Sequence, residues 1–563
     1  MTEQTGWFGP PGAPLAARVT WPAGAHPAGA DPAGPALRAA VVVCPALLGE
    51  QVNAERSLRL LAAQLADAGA LVVRPDYAGT GDSAGLGDQP GQVQAWRDSI
   101  ALAVQWARGR GAGRVALVGL RVGATLAGTI ASAVGADAVV LWDPCVSGRS
   151  WLREQRALLA VGDVAATEGG LLGTHLPPAV EAELAELSLL DAAVPSVPVL
   201  VLVRAERGTP RGLRETWSSA RWEETTEQAA LLGVSSVLSR PATRTVELIA
   251  GWLQESLGLR PPTSVQPTAA PGAGAVGRLD AGPVEVLPGV RERFVWMGPR
   301  RLAGVLTEPA GLARRRTVVV FLNLAAERHL GPERAWVNLS RDLAVSGLRS
   351  LRFDLAGIGD SPAPASGRQD DAYPATAVRD MTEAISAVTD DPSDVVLVGV
   401  CSGAHHALLA GVALHPRGVV VINPPTEIPV TIEDRQVAAE RSLRPSPPWI
   451  RRLGNTSLLA RTEEHIPDQV WWLLHRLGVV ASPAAVLRRL VAAGTTSLLV
   501  CGPMEIRPFR DRAALDLRAL QRSPAFRLEV LDDLDHSLLR SAPRQRALSL
   551  LHEHLLATLQ PVA

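Results

Sequence analysis

The sequence contains no lysine, so all 55 of its basic residues are arginine. With its abundance of alanine, glycine and proline, that bias speaks of base composition more than of function. An excess of one charge is also missing, since 55 basic residues face 56 acidic ones for a formal net charge of −1. A near-neutral chain gives no global reason to expect nucleic acid or an anionic membrane as a partner. Cysteine is scarce, limited to Cys44, Cys145, Cys401 and Cys501. Their spacing excludes a disulfide scaffold and a zinc-finger site, so neither a metal nor another cofactor is expected. The first residues lack the charged and apolar regions of a signal peptide. The apolar stretches are strand-sized or broken by Arg and Gly, too short for a membrane span. The expectation is a soluble cytoplasmic protein.

What is present is length and a globular composition: 563 residues, 47% hydrophobic and 20% charged. That length suits two domains, and each half alone is long enough to bury a sizeable core. An internal repeat supports the division. Trp7-Phe8-Gly9-Pro10 matches Trp296-Met297-Gly298-Pro299, and Val41-Val42-Val43 matches Val318-Val319-Val320. Arg74-Pro75-Asp76-Tyr77-Ala78-Gly79-Thr80-Gly81-Asp82-Ser83 matches Arg352-Phe353-Asp354-Leu355-Ala356-Gly357-Ile358-Gly359-Asp360-Ser361 at an offset of 354 − 76 = 278. Gly119-Leu120-Arg121-Val122-Gly123 matches Gly399-Val400-Cys401-Ser402-Gly403 at an offset of 399 − 119 = 280. Leu141-Trp142-Asp143-Pro144 then matches Val421-Ile422-Asn423-Pro424. The Pro/Gly/Ala tract from Pro261 to Gly274 has no periodicity and reads as a linker. The expected division is residues 1–259, a linker over 260–275, and residues 276–563. Within each half, short apolar runs such as Val115–Val118 and Val395–Val398 alternate with helical patterns. That alternation predicts an α/β fold with a mostly parallel sheet covered on both faces.

A Gly-x-nucleophile-x-Gly turn after a buried strand is the nucleophile elbow. It holds its central residue on a tight turn, and the helix that follows favours a thiolate or an oxyanion at its N-terminus. On this elbow, the Phe-Gly-Pro opening and the Arg-x-Asp-x-x-Gly-x-Gly-Asp-Ser loop, both halves resemble the α/β-hydrolase family, and its serine-aminopeptidase-like branch in particular. Through Cys44-Pro45 and the Gly-Leu-Arg-x-Gly-Ala elbow, the first half also resembles hydrolase-like proteins associated with exosortase systems. The resemblance implies two tandem α/β-hydrolase domains with helical lid insertions.

In the first half the elbow carries Arg121, which is no nucleophile. Arg204 stands where the family has a glycine, Arg207 stands at the acid position with Glu206 one place early, and residues 234–252 hold no histidine. This half reads as a catalytically inactive scaffold or partner-binding domain. The competing reading has Arg121 gripping a carboxylate or phosphate. In the second half the elbow carries Cys401. The resemblance puts the acid at Glu505, in Cys501-Gly502-Pro503-Met504-Glu505, and the base at His536, in Leu534-Asp535-His536. His536 would take and return the proton while Glu505 orients the imidazole. The oxyanion donors would be the backbone N–H of Ser402 and one from the loop after Val320, at Leu322, Asn323 or Leu324.

Alternatives stay open on the residues alone. Ser402 competes with Cys401, although the elbow register puts it one step off the apex. Asp533 or Asp535 could replace Glu505. His405 and His406 read as packing or pocket-lining residues. Asp82/Ser83 and Asp360/Ser361 occur in both halves, which favours a structural loop. The region between Asn423 and Leu498 is the expected lid, where Trp449, Trp471, Trp472, Leu473 and Leu474 would either shape an apolar acyl pocket or pack the lid on the sheet. A cysteine nucleophile favours ester or thioester substrates, with hydrolysis, acyl transfer or cyclisation as the outcome. The substrate would be a small acyl or peptide-like molecule, or an acyl group on a carrier. Peptide-bond hydrolysis, a non-covalent tailoring reaction and a ligand-binding pseudo-hydrolase are the other readings.

Overall fold

The computed structural model describes residues 2–25, 37–161, 176–210, 212–232, 239–261, 279, 282–311, 316–364, 369–425, 428–429 and 480–558. The chain divides into two compact units, Met1–Phe294 and Val295–Ala563. No described helix is long and apolar enough to cross a membrane.

The first sheet's strands are β1 (Thr2–Phe8), β2 (Leu15–Trp21), β3 (Ala39–Cys44), β4 (Leu71–Pro75), β5 (Arg114–Leu120), β6 (Ala138–Trp142), β7 (Val199–Arg204) and β8 (Arg221–Thr225). They form one sheet in the order β1-β2-β4-β3-β5-β6-β7-β8. The pairs β1/β2 and β2/β4 are antiparallel, and the pairs from β4/β3 to β7/β8 are parallel. Buried β-branched runs make these strands because both faces of the sheet are covered by helices. Alternate residues therefore enter different cores. Val42, Leu117, Leu141 and Val201 join one cluster, while Val41, Val118, Val140 and Leu200 join the other.

The second sheet holds β9 (Val284–Leu287), β10 (Val290–Met297), β11 (Leu302–Pro309), β12 (Val318–Phe321), β13 (Arg349–Phe353), β14 (Val395–Val400), β15 (Gly418–Ile422), β18 (Thr496–Cys501) and β19 (Phe526–Val530). A separate short pair joins β16 (Ile428–Pro429) to β17 (Val480–Ala481). Read from β9, the sheet runs β9-β10-β11-β13-β12-β14-β15-β18-β19. Without β9, that is the strand order of the first sheet. The two cores again split by alternation, with Val320, Leu397 and Val421 on one face and Val319, Val398 and Val420 on the other. The α/β reading of the sequence thus holds in both units, each a mixed sheet flanked by helices.

Candidate active site

The strand ends position the chemistry. In the second unit β14 stops at Val400, and the helix Ser402–Leu414 starts one residue after Cys401. Cys401 takes φ 51° and ψ −113°, a backbone conformation that costs energy for any side chain and is kept where function or surrounding structure demands it. The turn closes only because Gly403 lacks a side chain, since a Cβ there would sit 2.7 Å from the Asn323 carbonyl oxygen. The next strand end, β18, leads through Gly502 into the helix Pro503–Arg512, which carries Glu505 in its first turn. The last, β19, leads into the loop that carries His536.

These three ends converge. His536 Nε2 lies 3.1 Å from Cys401 Sγ, and His536 Nδ1 lies 3.1 Å from Glu505 Oε1. The histidine side chain is 47% exposed and the glutamate 13%. The hydrogen bonds to Cys401 and then to Glu505 outweigh partial burial and push the His536 pKa up to about 10. Cys401 is the half-buried cysteine, whereas Cys44, Cys145 and Cys501 are buried. Burial pushes those three thiols well up, which keeps them protonated and unreactive.

The alternatives for these roles are occupied elsewhere. Asp535 accepts the backbone N–H groups of Leu539 and Arg540, and Asp533 pairs with Arg546. Ser402 Oγ is buried and accepts the Ala325 N–H at 2.7 Å. Ser361 Oγ accepts the Ala303 N–H and donates to the Asp354 carbonyl, and Ser83 does the same with Ala16 and Asp76. Asp360 donates its backbone N–H to Asp354, as Asp82 does to Asp76. The repeated Asp-Ser pairs therefore brace a loop, for the same reason in both units.

One expectation is corrected. The Leu322 N–H cannot serve as an oxyanion donor because it is donated to the Val398 carbonyl in the sheet at 3.0 Å. Asn323 spends its side chain on the Asp354 carboxylate, the Glu327 carbonyl and the Leu355 N–H. His405 and His406 lie buried on the helix after the elbow; His405 packs edge-on against His406 and Tyr373, and His406 packs tilted against Tyr373. Burial pushes both imidazoles down, His406 to about 4, so they are neutral. Trp449, Trp471, Trp472, Leu473 and Leu474 lie outside the described residues.

Residues 329–548 match the model of the alpha/beta hydrolase family. The second unit carries an alpha/beta hydrolase domain. No curated protein matches the chain. Among solved structures it is similar to Est1E from Butyrivibrio proteoclasticus, at 14% identity and a TM-score of 0.33 over 45% of this chain and 99% of that one. It is similar to the proline iminopeptidase of Mycobacterium smegmatis at 18% identity and a TM-score of 0.31, over 46% and 99% of the two chains. A fungal esterase from Rhizomucor miehei matches at 19% identity and a TM-score of 0.32, over 46% and 84%.

The first unit has the same strand ends as the hydrolase domain and fills them differently. The sheet registers place Arg121 at the Cys401 position and Asp143 at the Asn423 position. They place Arg204 where the hydrolase domain has Gly502, and Arg207 where it has Glu505. Arg121 keeps the elbow conformation, φ 58° and ψ −122°. Its buried guanidinium donates to Glu50 at 2.9 Å, Asp143 at 3.3 Å and Glu154 at 2.6 Å. Arg204 also reaches Asp143, at 2.7 Å, and Arg207 reaches Glu154 at 2.8 Å. Trp151 and Gln155 hold Glu50 from the helix Gly148–Val161. Burial works against the Arg121 charge, but Cys145 and the acids Glu50, Asp143 and Glu154 around it outweigh burial and hold its pKa above the ordinary value. The reading in which Arg121 grips a carboxylate or phosphate of a ligand is therefore corrected: the carboxylates it grips are the domain's own.

Asn423, which the sequence reading did not place at the site, hydrogen-bonds the Asp535 and His536 carbonyls and the Gly502 N–H. Its only signal was its place opposite Asp143 in the repeat.

Proposed function

We propose that the hydrolase domain is an acyl hydrolase or acyltransferase acting on an ester or thioester through Cys401, His536 and Glu505, with the first domain as a non-catalytic companion. The observation that carries this is the line from Cys401 Sγ through the His536 ring to Glu505, with 3.1 Å at each step, built on an elbow. The sulfur attacks the acyl carbon while its proton resides on His536 Nε2. The tetrahedral oxyanion is met by the Ser402 N–H and one N–H from Asn323 or Leu324. Collapse breaks the bond to the leaving alkoxide or thiolate, which takes the proton from His536. Water or another acceptor then attacks the thioester, gives its proton to His536, and releases the acyl group and the thiol. Glu505 keeps the ring oriented and its cationic form stabilised throughout. The acyl group could arrive on a small molecule or on a carrier.

The test is the intact mass after brief exposure to iodoacetamide and, separately, to a panel of acyl thioesters. Wild type should take one label rapidly, Cys401→Ala none, and His536→Ala should label about 100-fold more slowly. Labelling spread over the four cysteines, or unchanged by His536→Ala, would sink the assignment. The acyl groups retained would define the substrate class.

A further inference from the structure

We propose that Asn423 is a positioning residue for this site, its side-chain amide tying the loop that carries His536 to the turn that presents Glu505. The proposal rests on the Cys401–His536–Glu505 reading above. Asn423 follows β15, is fully buried, and takes φ 44°, a left-handed conformation that asparagine tolerates better than most residues. Its backbone N–H is held by the Val500 carbonyl at 2.9 Å, which fixes the side chain beside the end of β18. Nδ2 donates to the carbonyl oxygens of Asp535 at 2.9 Å and His536 at 3.1 Å. Oδ1 accepts the N–H of Gly502 at 2.8 Å. One buried amide therefore joins three strand ends: its own, the acid's and the histidine's. Arg540 and Arg544 also brace the histidine loop, at the Asp533, Leu538 and Leu539 carbonyls, while the Asn423 amide reaches the Asp535 and His536 carbonyls themselves. The His536 ring is half-exposed, and its orientation depends on where its own backbone is held.

The chemistry of that position demands an amide. Two of its partners are carbonyl oxygens, which a carboxylate would repel, and the third is an N–H, which an alkyl group would leave unpaired. The first domain supplies the contrast. There the same strand end carries Asp143, and its partners are the cations Arg121 and Arg204 instead of main-chain carbonyls. Acceptor-only chemistry fits a cluster of arginines, and mixed donor–acceptor chemistry fits a site that must hold a histidine loop.

The experiment compares the pH profile of Cys401 alkylation by iodoacetamide in the full chain for wild type, His536→Ala, Asn423→Asp and Asn423→Gly. Circular dichroism checks the fold of each. Asn423→Asp keeps the shape and reverses the donor. Asn423→Gly relieves the left-handed backbone and removes the amide, so it still reports should the aspartate variant misfold. Because small displacements of a reacting group are costly, both variants should alkylate at least 10-fold more slowly at neutral pH, with profiles moved towards that of His536→Ala. Folded variants that keep the wild-type profile, however much less stable, would overturn the proposal alone. If wild type and His536→Ala share one profile, the triad reading fails, and this proposal fails with it.

Discussion

His536 stands between a sulfur and a carboxylate, so its proton is linked to folding as well as to chemistry. Its pKa is raised from 6.5 to about 10, which means the folded chain holds this proton more tightly than the unfolded chain. The stabilisation it contributes is fully present below 6.5 and is lost as the pH climbs towards about 10. Denaturant titrations of wild type and His536→Ala across that window should show a gap that narrows with rising pH, and parallel curves would contradict the pairing. That Cys401, Glu505 and His536 would lie together was legible in the sequence, because the fold resemblance ties each to the end of a particular strand. Asn423 was not, because its partners lie 79 and 112 residues away along the chain. The status of the Leu322 N–H was not legible either, since no pattern of residue types says which residue donates the last hydrogen bond of a sheet.

At the scale of elements, the elbow keeps its shape with either residue at its apex. Arg121 and Cys401 share a strained backbone within about ten degrees, at φ 58° and ψ −122° against φ 51° and ψ −113°. Sequence could announce the shape because glycines mark it, and could tell the two apart because the apex residue differs. The glycine after the apex is where shape and function meet. Gly403→Ala would drive a methyl group to 2.7 Å from the Asn323 carbonyl oxygen, against the loop proposed to donate to the oxyanion. We expect it to cost about 1–3 kcal/mol, the usual range for overpacking. Acyl-thioester turnover should fall further than that stability loss explains. Chemical denaturation alongside single-turnover labelling separates the two effects.

At the scale of the whole molecule, the repeat and the α/β class were plain from sequence because both depend on patterns that run the length of a domain. How the first domain fills its elbow was only half legible. The missing histidine and the arginines at the elbow, glycine and acid positions were visible, but not that they would meet Glu50, Asp143 and Glu154. Arg121→Met removes the cation these acids share. Breaking a buried ion network from one side costs about 3–5 kcal/mol, so the variant should lower the stability of the first domain by that order. Alkylation of Cys401 should be unchanged. Thermal unfolding and the labelling rate measured on the same sample would check both halves of that expectation.

The arginine cluster also bears on how the first domain would respond to change. Placing a cysteine at position 121 alone would remove the cation that Glu50, Asp143 and Glu154 share and leave Asp143 to Arg204 and Glu154 to Arg207, in a domain whose described residues after β8 include no histidine to activate a thiol. That single substitution would therefore weaken the network without supplying a base for the new thiol. The cluster acts as a lock: its arginines and acids hold one another, so a different chemistry at this elbow would need several residues to change together.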